Sequence, residues 1–214
     1  VLLVGIWLTA VGACDLLRAA RDTTTVRRRA AVLGLGVVVL AGLLVGCGIE
    51  VGRALWLVPV AAACLALWVL GSSAALASHA AGARAVAFVG IGLGTALTLG
   101  LAAGLGAPDW PAAAGGSALA RWPVERTILV VGVLLVQLAT ANIVVRLLLD
   151  AVGVPAETGE KTLKGGRVLG PLERVFLVAL GLGGAVAAAA VVVAAKGLLR
   201  FPELQRGGRA GPAT

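Results

Sequence analysis

Few residues in this chain are of types that do chemistry, and most of them gather in its C-terminal half. Asn142, Arg146 and Asp150 are spaced i, i+4, i+8 and share one face of any helix that carries them. Arg146 and Asp150 are then positioned to pair. Ionisable groups at the margin of a membrane span mark function by default and face the bundle interior; snorkelling to the interface is the alternative use of the same side chains. Glu173 and Arg174 open the next apolar run as an ion-pair-forming couple, and the helix dipole there favours the carboxylate but not the cation. At its far end Lys196 and Arg200 stand four apart, with Glu203 beyond them. These two cations are suited either to holding a lipid phosphate or to anchoring a helix end at the interface. The candidate polar cluster is therefore Asn142, Arg146, Asp150, Glu173 and Arg174, and the candidate lipid-phosphate contacts are Lys196 and Arg200.

Other chemistries find no support. There is no GxSxG elbow, HExxH zinc motif or Walker loop. Membrane phosphotransferases that work through clustered aspartates are excluded, because the only aspartates are Asp15, Asp22, Asp109 and Asp150. Cys14, Cys47 and Cys64 lie in or at the ends of apolar segments and form no CxxC pair, so they are expected as small buried hydrophobes. No metal and no cofactor is expected. His79 is the only histidine, in a small-residue loop where solvation is the expected state, and Glu50 and Arg53 can pair across one helical turn.

The elements that carry these residues are set by hydropathy. Of 214 residues 60% are hydrophobic and 13% charged, with a mean hydropathy of +1.04, whereas soluble domains run at about 45–50% apolar and about 25% charged. Apolar runs long enough to cross a bilayer recur at about 1–17, 30–48, 54–71, 85–105, 127–149 and 174–195. The expected fold is all-α, a polytopic transmembrane helical bundle of about six helices. It forms a single domain over 1–204 and is followed by a disordered tail, 205–214. Val1 and the absence of methionine suggest a fragment or a non-standard start, and the N-terminal run lacks the basic prefix of a signal peptide. Pro59 is expected to kink the third segment. Trp110 and Trp122 suit an aromatic belt. Gly42/Gly46, Gly90/Gly94 and Gly100/Gly104, each four apart, suggest close helix packing.

The formal net charge of +8 flanks apolar spans, where it orients helices, and nucleic acid is not an expected partner. Loops one and five, over 18–29 and 157–174, are the basic ones and are expected on the cytoplasmic side. Six crossings then leave Lys196, Arg200, Arg206 and Arg209 outside, against the positive-inside rule. Either the sixth segment crosses and tolerates a basic outer end, which its Ala/Val-rich second half favours, or LGLGG at 180–184 breaks it into a re-entrant segment.

LKGGRVLGPLERVFL, an Ala/Gly-rich span and then AAKGLLRFPEL resemble the end of a bacterial integral-membrane family known only as a domain of unknown function, particularly its actinobacterial members. ANIVVRLLLDAVG fits the same pattern, so the resemblance covers roughly the last third of the chain. It implies residence in a bacterial cytoplasmic (inner) membrane. It singles out Gly170, Leu172, Glu173, Arg174, Ala194, Ala195, Lys196, Arg200 and Phe201, and it brings no activity. The family continues past the Arg-Phe element into a further hydrophobic segment, where this chain has QRGGRAGPAT, which suggests a truncated or frame-shifted end.

The function expected is that of a non-enzymatic membrane scaffold or partner subunit, bound to the lipid bilayer and to a membrane-protein partner or a second copy. A small-solute or ion transporter or channel is the alternative, with a lipid-modifying enzyme behind it. A bundle packed dry favours the scaffold; a polar cavity at mid-membrane depth favours the transporter.

Overall fold

The computed structural model describes residues 1–19, 25–101, 110, 121–153 and 166–207. Among these there are helices and no strands. We number the helices α1 (Leu2–Ala19), α2 (Val26–Gly46), α3 (Val51–Ser78), α4 (Ala81–Gly100), α5 (Val124–Ala151), α6 (Gly166–Leu182) and α7 (Val186–Gly207). The first five are long and apolar enough to cross a membrane. The all-α transmembrane character read from hydropathy is thus present in the fold.

The chain divides into two compact units, Val1–Pro171 and Leu172–Thr214. In the first, α1 is the central helix: 61% of its span is buried, against 22% for each of α2, α4 and α5. It packs against all four of its neighbours. Close approach is what permits this. A Cβ on Gly132 of α5 would stand 2.8 Å from the Gly5 carbonyl oxygen, and one on Gly12 would stand 2.6 Å from the Leu135 Cβ. Without a hydrophobic driving force between helices in lipid, such backbone proximity is what dispersion needs. Gly90 and Gly94 serve the same purpose, against Trp68 and Trp7, whereas Gly42 and Gly100 face open space. Gly104 lies outside the described residues.

Three features differ from the sequence expectation. The polar stretch after position 71 continues α3 to Ser78, so the loop to α4 shrinks to His79 and Ala80, with His79 in the left-handed region at φ 55°. Helix α2 starts at Val26, so Arg27, Arg28 and Arg29 form its first turn rather than a loop. Helix α5 widens into a π turn over Val136–Thr140 before resuming an α geometry.

The sixth expected segment, 174–195, is not one helix. Gly183 and Gly184 end α6, with Gly184 at φ +79°. Ala185 N–H bonds the Leu180 carbonyl at 2.8 Å and Gly184 N–H the Gly181 carbonyl at 3.1 Å, the 6→1 and inner bonds of a Schellman cap. Residues 205–207, expected as tail, close α7 as helix; 208–214 lie outside the described residues.

Candidate functional site

Because α1 is central, most of its circumference meets protein, although Leu16 and Leu17 are exposed, and both charged residues near its C-terminal end are buried. Asp15 is fully buried and Arg18 retains 8% of its surface. They stand i, i+3 on the helix and form an ion pair.

The rest of the site comes from one turn of α3. Trp68, Ser72 and their neighbours fall at i, i+4 spacing and so face α1 together. The Trp68 indole Nε1–H donates to both Asp15 oxygens, at 3.2 Å to Oδ1 and 3.0 Å to Oδ2. Arg18 Nη1 donates to the Val69 carbonyl at 3.0 Å, to Ser72 Oγ at 2.9 Å and to Ser73 Oγ at 3.0 Å. Each serine hydroxyl spends its own proton on the carbonyl four residues earlier, Ser72 on Trp68 and Ser73 on Val69. Its lone pairs are thereby left to accept from the guanidinium. One donor, Arg18 Nε, is buried without a partner. Opposite charges, an indole, two hydroxyls and a shared carbonyl therefore form a nearly closed network joining α1 to α3.

A second cluster lies where α3, α4 and α5 meet. The Asp150 carboxylate at the end of α5 takes His79 Nδ1 on one oxygen and Arg84 Nη1 on the other. Arg84 also donates to the His79 carbonyl at 3.2 Å. The expected Arg146–Asp150 pair is therefore replaced. Shortening of the α3–α4 turn presents two better-positioned partners to Asp150, and Arg146 points to the exposed surface while Asn142 is half-buried. His79, expected to be solvated, keeps 75% of its side chain exposed while bonding Asp150. At the other end of α5, Trp110 Nε1–H donates to the Trp122 carbonyl at 2.8 Å, and Arg126 lies over the Trp122 ring with 5.9 Å to its centroid.

In the second unit Glu173 pairs with Lys196, not with its neighbour Arg174. Successive helix residues diverge by about 100°, whereas the turn at Gly183–Gly184 returns Lys196 to the Glu173 face. The Lys196 ammonium, a candidate either for a lipid phosphate or for an interfacial anchor, is paired within the chain, and Arg174 Nη1 is buried without a partner. The side chain of Arg200 lies outside the described residues.

The polar centre of the first unit was absent from the sequence-derived candidates. Arg18 was counted as a loop cation, and the serines fell in an expected loop. The available signal was an aspartate inside an apolar run with an arginine three residues on. No family model, curated protein or solved structure matches the chain.

Proposed function

We propose that this protein is a non-catalytic scaffold or partner subunit of a bacterial cytoplasmic membrane, with its basic loops inside and α1 beginning outside. The observation that carries the reading is the Asp15–Arg18 network. A charge within a membrane bundle either serves a solute or proton path or fastens helices. Here the guanidinium is spent on the Asp15 carboxylate, a backbone carbonyl and two hydroxyls of α3. Such a pair holds α1 and α3 in register and offers little to a passing solute. The bacterial assignment rests on the resemblance of the GGRVLGPLER and AAKGLLRFPEL elements, and the sidedness on the arginines of the first loop.

The test is reconstitution of the purified full chain into liposomes carrying an internal pH dye, with a potential-sensitive dye outside. A scaffold gives proton and ion fluxes equal to those of protein-free vesicles. Photo-crosslinking from Leu93, exposed on α4, gives one discrete adduct in native membranes. Flux that disappears in the Asp15→Asn variant overturns the proposal.

A small-solute or ion transporter is the second reading, favoured by the π turn in α5. Thr140 on that turn is 1% exposed, and its hydroxyl has no partner. Single π turns inside α-helices recur at functional sites. Flux lost on Thr140→Val and retained on Thr140→Ser selects that reading over the scaffold.

A further inference from the structure

Glu173 and Lys196 are 23 positions apart and in contact. A continuous helix would hold them about 34 Å apart at 1.5 Å per residue. The chain instead folds back at Gly183–Gly184, so both charged residues sit at the base of a helical hairpin whose tip is the glycine turn.

The hairpin has the dimensions of half a bilayer. From Glu173 to Leu182 the first arm rises about 14 Å, and from Val186 to Lys196 the second rises about 15 Å. The hydrocarbon core is about 30 Å thick. Between Arg174 and Lys196 there is no ionisable residue.

The arms are also apolar on their outer surfaces. Phe176, Leu182, Val186, Val191 and Val193 are all at least half exposed. Along α7 exposure covers most of the helix, with Ala187, Ala188 and Ala190 exposed as well and only Ala189 and Val192, on one face, half-buried. An amphipathic helix lying in the interface plane would carry a polar face; this one has none from Val186 to Ala195. The apolar portion of α7, Val186–Leu198, is shorter than a span.

We propose that α6 and α7 form a re-entrant hairpin that enters one leaflet of the bilayer, with the Glu173–Lys196 pair at the headgroup level and the Gly183–Gly184 turn near the midplane. The occupant of the exposed apolar surface is lipid acyl chain. Charge supports the same arrangement. With both arms returning to one side, Lys196, Arg200, Arg206 and Arg209 join the cations of the first, third and fifth loops. Only Arg53, Arg121 and Arg126 remain opposite. Six crossings would instead put the four tail cations on the wrong side of the positive-inside rule. The ion pair has a role in this geometry: it returns both arms to the same depth, and it sits where water screens its charges.

The experiment uses the full chain, free of native cysteines, in oriented membranes and in proteoliposomes. Single replacements Leu172→Cys and Gly197→Cys, at the two bases, are tested with an impermeant thiol reagent from each side. Ala185→Cys, at the tip, carries a bimane probe in vesicles whose lipids are brominated at defined depths. The proposal expects both base positions to react from the same side. It also expects the tip probe to be quenched most by bromines deep in the acyl chains. Base positions reacting from opposite sides would mean a crossing segment and would overturn it. A tip that reacts with the aqueous reagent and escapes lipid quenching would mean a hairpin in water, and would overturn it equally. Should thiol access be obscured, spin labels at Leu172→Cys and Gly197→Cys decide the fold of the segment. A short separation supports the hairpin, and one near the roughly 37 Å of a straight helix refutes it.

Discussion

Helices α1 and α7 are both apolar, both rich in small residues, and opposite in fate. Helix α1 is enclosed by four neighbours, and its two charges are neutralised within the protein. Helix α7 exposes alanine and valine over most of its circumference, and its one charge with a described side chain, Lys196, lies at the base beside Glu173. The difference is not hydropathy. Helix α1 carries Gly5 and Gly12, which allow backbone contact with α5, and its Trp7, together with Trp68 of α3, fills the space around it. In α7 the only glycine of the apolar portion, Gly197, faces open space. Small residues make a helix packable only when a partner presents matching relief; without one they leave it to lipid.

If α1 owes its place to the buried pair, breaking the pair should do the most damage. Arg18→Ala leaves Asp15 buried and unpaired and is expected to cost about 3–5 kcal/mol, read as a fall in the thermal midpoint of the detergent-solubilised protein. The Asp15→Ala/Arg18→Ala double variant should be less destabilised than the sum of the singles, since no lone charge remains. Next comes Ser72→Ala, which withdraws one acceptor from the guanidinium. About 1.5–3 kcal/mol is expected, the range for hydrogen bonds to charged groups, and the same unfolding curve reports it. Gly132→Val forces α5 off α1 and should cost about 1–3 kcal/mol, with increased thiol reactivity at the buried Cys14 as a second readout.

The hairpin should respond differently. Gly184→Val places a branched side chain at φ +79°, a cost of about 1–2 kcal/mol. Its effect should fall on the distance between labels at Leu172→Cys and Gly197→Cys, leaving the unfolding midpoint of the first unit unchanged. Lys196→Ala is expected to be the mildest, about 0.2–1 kcal/mol for a pair this exposed. A large loss from Lys196→Ala beside a small one from Arg18→Ala would reverse the comparison.

The first five helices were legible because crossing a bilayer demands about 20 apolar residues, a signal that no other arrangement imitates at this length. The polar centre was not, because its meaning lies in distance. Asp15 and Trp68 are 53 positions apart, and nothing local in either neighbourhood announces the other. Serines at 72 and 73 resemble a loop in isolation, yet as helix they satisfy their protons on the preceding turn and turn their lone pairs to Arg18. Asp150 is among the sequence candidates, but its partners are not the one its helix spacing suggests. The i, i+4 geometry made Arg146 eligible, and the two-residue α3–α4 turn supplied His79 and Arg84 instead. The break at LGLGG was one of two alternatives at the sequence level. Glycines at 183 and 184 permit a left-handed cap without requiring one.

By itself the sequence determined an all-helical protein with the composition of a membrane protein, its first five spans and the residues able to carry charge at their ends. Hydropathy is a local sum, and helix formation in lipid is compelled by the backbone's own hydrogen bonds. Only the tertiary structure decided that α1 is the centre, that Asp15 and Arg18 face α3, and that Glu173 meets Lys196 across a turn. Those outcomes depend on which helix faces approach closely enough to touch, a property of the whole packing that no single segment contains.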